Sequence, residues 1–243
     1  MGKLLMFLVA MWISIDSHAE TFRVAYYDGG DAPFSYTLNG QLIGIFPDLM
    51  AAIARQSGDQ LENQALPMKR LLNAFESGLL DIEVGVNPKW RSTSLTPGAY
   101  SDAFLLVNDV LCYRVGKRKK NENISNFLGE TIGVIANYSY PEFDAAFAKG
   151  SIKRADIFTN TSLLVMLKAM RFDQIIISQY VKQYWAKTDP DKYNCEEGRV
   201  VESRSIMLRV HPTKAYAVMR FNAAINTLKK NGELDAILRR YIN

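Results

Sequence analysis

The sequence predicts an α/β protein built as two lobes with a cleft between them. Three observations carry that expectation. Strand-like and helix-like stretches alternate along the chain, which favours largely parallel sheets with helices packed on them. The same alternation starts afresh in the second half. A length of 243 residues suffices for one large domain or two small ones. Neither a low-complexity linker nor a strong internal repeat separates the halves.

Residues 22–27 read as the opening strand. Asn39-Gly40 marks a tight turn, and Pro47 stands where a helix can begin without losing a needed N–H donor. Phe46, Leu49, Met50 and Ile53 follow the i, i+3, i+4, i+7 spacing of one helical face, and Gly58 stands where that helix should stop. A second helix is expected over 68–77, closed by Gly78, and residues 81–86 alternate like a strand. After the restart, 131–136 form a strand, 140–148 a helix, and Leu163, Met166, Leu167 and Met170 an apolar helical stripe. Residues 174–177 make a short buried strand. Phe221, Ala224, Ile225 and Leu228 make one closing stripe, and Leu234, Ile237, Leu238 and Tyr241 another, separated by the Asn231-Gly232 break. Such stripes fill a core and are not ligand sites. The chain should cross between the lobes near 111–115 and near 202–207.

The amino terminus reads as a secretory signal. Lys3 supplies the positive start, residues 4–15 an apolar run, and Ser17-His18-Ala19 the small residues that direct cleavage after Ala19. The run is too short for a membrane span, which needs about 20 apolar residues. Removal of 1–19 leaves 224 residues at an unchanged net charge of +4, because that segment carries one Lys and one Asp. No Cys follows Ala19 to accept a lipid. A periplasmic location is therefore expected.

The composition, 48% hydrophobic and 22% charged, is that of a globular protein with a sizeable core. The mild positive charge is spread along the chain, with 117–120 the only dense run, which argues against nucleic acid as a partner. Cys112 and Cys195 are the only cysteines. In an oxidising compartment a disulfide between them is the natural expectation, two separately buried thiols the alternative. With only His18 and His211 beside them, a thiolate or imidazole metal cage is not expected, and neither is a cofactor.

Several motifs, in their order and spacing, resemble the periplasmic solute-binding proteins of ABC transporters, in particular the polar-amino-acid type. Ala32-Pro33-Phe34, then Asn39-Gly40, then residues 44–49 look like the family's opening signature. Gly78 to Asp81 resembles the Gly-x-x-Asp that ends its second helix, residues 128–134 the start of its second lobe, and residues 221–242 its closing helices. The resemblance covers nearly the whole mature chain. It implies a two-lobed type II periplasmic-binding fold, each lobe a mixed, mainly parallel sheet flanked by helices, with two hinge crossovers. Lobe 1 would comprise 20–111 plus 206–243, and lobe 2 would comprise 112–205. The implied partners are a small polar ligand and a membrane permease, the protein itself being a monomer.

The resemblance also implies a site. Arg91 matches the arginine that grips a ligand carboxylate in relatives that bind amino acids, a role suited to a planar, permanently charged fork of donors. A plain surface role is the alternative. Asp31, just before Ala32-Pro33-Phe34, stands where the family places a side chain facing the ligand, although a turn role fits Asp equally. Tyr26 and Phe34 from the opening segment, and Trp90 beside Arg91, are candidate aromatic walls, with Tyr27 competing with Tyr26. Asn137, Tyr138 and Ser139 lead from a strand into a helix and could hold an anionic group or serve as turn residues. Ser178 matches the aspartate that grips the α-amino group in relatives. A neutral hydroxyl supplies no counter-charge to a desolvated ammonium, so a standard amino acid is not the expected ligand.

These features point to a receptor that captures a small polar, carboxylate-bearing solute without breaking a bond. An enzyme of the cyclohexadienyl-dehydratase kind, with Asp31 and Glu83 as the acids to examine, is the rival from another class. A sensory module without a permease is a third. There is no Gly-x-Ser-x-Gly nucleophile elbow and no cysteine–histidine nucleophile pair.

Overall fold

In this computed structural model of the chain, residues 19–29 and 32–242 are described. The expected signal segment, apart from Ala19, and Asp31 lie outside them. No helix among the described residues is long and apolar enough to cross a membrane.

The first half opens with β1 (Thr21–Tyr27), a small hairpin of β2 (Tyr36–Leu38) and β3 (Gln41–Ile43), α1 (Ile45–Ser57), β4 (Gln60–Leu66), α2 (Met68–Glu76) and β5 (Ile82–Val86). A 3-10 turn over Pro88–Arg91 and the short β6 (Ala99–Tyr100) follow. Asn39 and Gly40 both have positive φ, 51° and 77°, as a two-residue hairpin turn of right-handed twist requires. Pro47 sits in the first turn of α1, where a missing N–H costs no intrahelical bond. Gly58 ends the helix in the left-handed conformation, φ 78°. The predicted stripe of Phe46, Leu49, Met50 and Ile53 is buried as a unit.

The Gly-x-x-Asp motif has a structural reason. Asp81 accepts from the backbone N–H, Nε and Nη2 of Arg23 at 2.9, 2.9 and 2.7 Å, and Arg23 Nη2 also reaches the Gly78 carbonyl at 2.8 Å. The motif thereby ties β1 to the turn entering β5. Burial pushes the Asp81 carboxyl up, but the Arg23 hydrogen bonds and charge outweigh it and hold the pKa below its ordinary value.

The second half contributes β7 (Leu105–Tyr113), β8 (Thr131–Ile135), α3 (Pro141–Ala148), β9 (Lys153–Ile157), α4 (Asn160–Lys168), β10 (Gln174–Ser178), α5 (Gln179–Thr188) and α6 (Pro190–Tyr193). The 15-residue β11 (Glu196–Val210) then leads back to α7 (Val218–Lys230) and α8 (Glu233–Ile242). One curled mixed sheet results, in the order β4-β1-β5-β11-β7-β10-β8-β9, with β6 beside β11. The pairs β1/β4, β1/β5, β8/β9 and β8/β10 are parallel; β7 and β11 supply the antiparallel ones.

Core packing divides along this sheet. Phe22, Val24 and Tyr26 of β1 pack with α1 and with Phe221, Ile225 and Leu228 of α7, so both chain ends serve the first half. In the second half, Val110 and Cys112 of β7 and Ile175 and Ile177 of β10 face one core, while Leu111, Tyr113 and Ile176 face another. That period-2 division is what a sheet covered on both faces demands. Strands β7 and β11 belong to both halves. Leu105 and Val107 pack in the first core and Val110 onward in the second. Residues 196–206 of β11 pair with β7, and 207–210 pair with β5 after a register shift at Met207/Leu208.

One stripe residue departs from expectation. α4 ends at Lys168, and Met170, at φ 59° and 69% exposed, turns the chain toward β10 while Leu164 takes a buried place beside Leu163 and Leu167.

The expected disulfide is present: Cys112 on β7 is bonded to Cys195 at the mouth of β11, with Cα atoms 5.8 Å apart across a separation of 83 residues. Closing a loop of that length restricts the unfolded chain by about 4.5 kcal/mol in the chain-entropy description. Reduction, or the double change Cys112→Ser and Cys195→Ser, should lower the melting temperature by about 10–15 °C. A drop of only a degree or two in scanning calorimetry would show that the bond does not brace the fold.

Candidate functional site

Between the two halves lies a cleft of about 770 Å³, within the range of small-molecule sites. The first half presents Tyr27, Phe34, Glu83, Lys89, Trp90 and Arg91; the second presents Asp109, residues 135–141, Ser178, Glu202 and Arg204. Ligand-sized space and charged groups therefore converge where β7 and β11 pass between cores.

On the first wall, Arg91 reaches the cleft as expected, at the end of the 3-10 turn, but its donor fork is already engaged. Nε and Nη2 donate to Glu83 Oε1 at 3.0 and 2.5 Å, and Nη1 donates to the Trp90 carbonyl at 3.0 Å. Behind Glu83 stands Arg209, fully buried, with Nη1 on Glu83 Oε2 at 3.1 Å and Nη2 on Ser94 Oγ and the Thr96 carbonyl, both at 2.7 Å. Its guanidinium lies 3.8 Å from the Phe75 ring centroid. Gly98 leaves room for this arginine, since a Cβ there would stand 2.4 Å from Arg209 Cγ. One carboxylate thus serves two guanidiniums and a net positive charge remains. Lys89 adds to it, for its ammonium makes no ion pair among the described residues.

The aromatic candidates divide by strand parity. Tyr26 is a correction: it points into the first core, fully buried, with its hydroxyl on Asn63 Oδ1 at 3.1 Å. Tyr27, one residue on and therefore on the opposite face, is the one that lines the cleft. Phe34 stacks on Phe46 at 5.2 Å and meets Tyr180 of α5 edge-on at 6.0 Å. Gly85 makes room for Phe46, because a Cβ there would lie 2.3 Å from the ring, and its φ is +85°. Trp90 stands at the rim, 46% exposed.

On the second wall, Asn137 turns the chain at φ 65° and Tyr138 lies beside it, half exposed. Ser139 does not offer its hydroxyl to a ligand: Oγ donates to Asp144 Oδ2 at 2.6 Å, while Asp144 Oδ1 takes the Tyr140 N–H at 3.0 Å. The start of α3 already carries its own anion. Outside the cleft, a shallower hollow of about 550 Å³ shares residues 136–139, and its Arg154 is held by Asp156 at 2.8 Å and the Tyr138 carbonyl at 2.9 Å.

Ser178 ends β10 and precedes α5, yet makes no capping bond, and its Oγ is buried without a partner among the described residues. Directly opposite it on β7 is Asp109, and opposite Asp109 on β11 is Glu202. Arg204 joins them, donating to Asp109 Oδ2 through Nη1 and to Glu202 Oε2 through Nη2 at 2.5 Å. Burial pushes the Asp109 carboxyl above its ordinary pKa, against the pull of Arg204. Sequence reading missed Asp109. The available signal was Asn108-Asp109 interrupting an otherwise apolar strand.

Compared with known proteins, residues 23–243 match the model of bacterial extracellular solute-binding proteins, family 3. The arginine-binding extracellular protein ArtP of Bacillus subtilis (strain 168) is 23% identical, with 99% of this chain and 98% of that protein covered. An ancestral arginine-binding protein solved with arginine superposes with a TM-score of 0.70 at 20% identity, over 92% of this chain and 98% of that one. An ancestral amino-acid-binding protein described as a precursor of cyclohexadienyl dehydratase gives 0.69 at 18%, over 92% and 96%. At these identities the likeness to the solved structures is one of fold.

The buried Glu83 has a measurable consequence. Glu83→Gln leaves Arg209 and Arg91 without their counter-charge and should cost about 3–5 kcal/mol of unfolding free energy in urea. A loss below 1 kcal/mol would mean that the guanidiniums do not depend on it.

Proposed function

The chain belongs to the bacterial extracellular solute-binding proteins, family 3, and on that premise we propose that it captures a small, polar, carboxylate-bearing solute between two lobes and delivers it to an ABC-type importer. The observation that carries this reading is the positive excess on the first wall. Glu83 neutralises one of the two guanidiniums it touches, and Lys89 stands beside them without an acidic partner among the described residues. A ligand carboxylate meets Lys89 and the outer edge of Arg91, in place of the full arginine fork that the family resemblance implies.

Lobe 1 comprises 20–111 and 206–243, and lobe 2 comprises 112–205, with β7 and β11 as hinge strands. The change of core between Val107 and Val110 supports a first hinge within β7, a few residues before the crossover expected at 111–115, with Val110 and Leu111 already packed in the second half. Ligand contact with both walls shifts the population toward a closed form that a permease recognises. The protein works in the periplasm as a monomer after removal of 1–19. Solute capture is also favoured over dehydratase chemistry by Glu83, whose two oxygens already accept from the permanently charged Arg91 and Arg209. Turnover of prephenate or arogenate would reverse that preference.

Thermal shift against a broad panel of carboxylate metabolites provides the test. A true ligand at 100 times its Kd stabilises by about 2.7 kcal/mol, which raises the melting temperature by about 5–10 °C, and Lys89→Ala should weaken its binding about tenfold. If no member of the panel moves the transition, solute capture is the wrong function.

A further inference from the structure

The halves touch at a third place besides β7 and β11. Helix α5 belongs to the second core through Val181 and Trp185, yet its Tyr180 packs against the first core. Tyr180, Tyr184 and Lys187 recur at i, i+4 and i+7 and so share one side of the helix, and each meets the first half. The Tyr180 ring lies edge-on to Phe34 at 6.0 Å. The Tyr184 ring is 6.1 Å from that of Tyr36 on β2, and the two hydroxyls are hydrogen-bonded at 3.1 Å. Lys187 Nζ donates to the Arg240 carbonyl of α8 at 3.5 Å. The seat on the first half is fixed. The Ile45 and Phe46 N–H groups donate to the Pro33 and Phe34 carbonyls at 2.8 and 2.9 Å, which ties the approach to the β2–β3 hairpin to the start of α1. Gly44 permits that approach, because a Cβ there would stand 2.5 Å from the Phe34 carbonyl oxygen.

In this arrangement the cleft is open. Tyr27 and Trp90 from one wall and Tyr138 from the other are 42, 46 and 54% exposed, and the ion pairs of each wall close within that wall. Closing rotates one half about a line across β7 and β11, the strands that pass between the cores. Helix α5 packs on β7 and β10 and therefore lies off that line, so its contacts with Phe34, Tyr36 and Arg240 cannot all survive the rotation. A contact made only in the open form stabilises that form.

We propose that the Tyr180, Tyr184 and Lys187 side of α5 is a latch that holds the two halves open, with the Tyr36–Tyr184 hydrogen bond as its clasp. A ligand closes the cleft only by offsetting the latch, so the observed affinity is the intrinsic one scaled by the fraction of molecules in which the latch is released. Tyr36 and Tyr184 are not among the residues that line the cleft, so this control on capture is separate from ligand contact. The inference rests on the two-lobed reading above.

Distances between spin labels on Trp90→Cys, at the rim of the first wall, and Phe158→Cys, beside residues 136–139 of the second, read the opening directly. The mature protein is measured without ligand, so the outcome does not depend on whether a solute is captured. Tyr184→Phe keeps the ring and deletes the bond, and should raise the ratio of short to long distances about three- to tenfold. Tyr36→Phe should do the same, and the double change should go no further than either alone, because both delete one bond. Tyr184→Ala, which also removes the ring, should raise the ratio further. Unchanged distances, or a shift to longer ones, overturn the latch, and an additive shift in the double variant overturns the clasp. If Tyr184→Ala fails to fold, the two phenylalanine variants still decide.

Discussion

The antiparallel pairing of β7 with β11 is the constraint on which the other features rest. β7 contributes Leu105 and Val107 to the first core and Val110 and Cys112 to the second, while β11 contributes Ile206, Leu208 and Val210 to the first and packs Val201 in the second half, so the halves share one sheet while keeping separate hydrophobic interiors. The cleft exists because the cores stop short of one another along these two strands. The Cys112–Cys195 bond sits at the far end of the same pair and holds β7 to the start of β11, away from the point where the cores change. The change of core at 107–110 and the Met207/Leu208 register shift both lie well away from that bond.

The polar groups that cross this region are disposed as two charge systems of opposite excess. Arg209, Glu83 and Arg91 form a buried chain that ends at the first wall with positive charge to spare. Asp109, Arg204 and Glu202 form the second, with negative charge to spare. Buried ion pairs contribute little net stability but are costly to leave incomplete, so each system holds its geometry firmly. The cleft therefore has walls of opposite excess charge.

Much of the architecture was legible in the sequence because long amphipathic helices declare themselves: the stripes of α1, α7 and α8 were all visible as spacing. Edge strands were not. β4 (QLENQAL) and β9 (KRADI) lie at the two ends of the sheet order, where one side faces solvent and polar side chains blur the alternation. The disulfide could be read from the presence of only two cysteines. Within the site, the family motif carried Arg91 to the cleft, yet its engagement with Glu83 and Arg209 was invisible, since Glu83 and Arg209 are 126 residues apart. Tyr26 was misplaced by a single step of strand parity. Asp109 and Arg204, 95 residues apart, meet only through the β7/β11 register, which no local pattern encodes.

The central claim is that one ligand bridges the two walls with its carboxylate on the first, and the most direct measurement is a crystal structure with the tightest-binding solute. The account predicts a carboxylate oxygen within about 3 Å of Lys89 Nζ or an Arg91 nitrogen, with the same ligand in contact with the second wall. A ligand bound with its carboxylate toward Asp109, or seated outside the cleft, would contradict it.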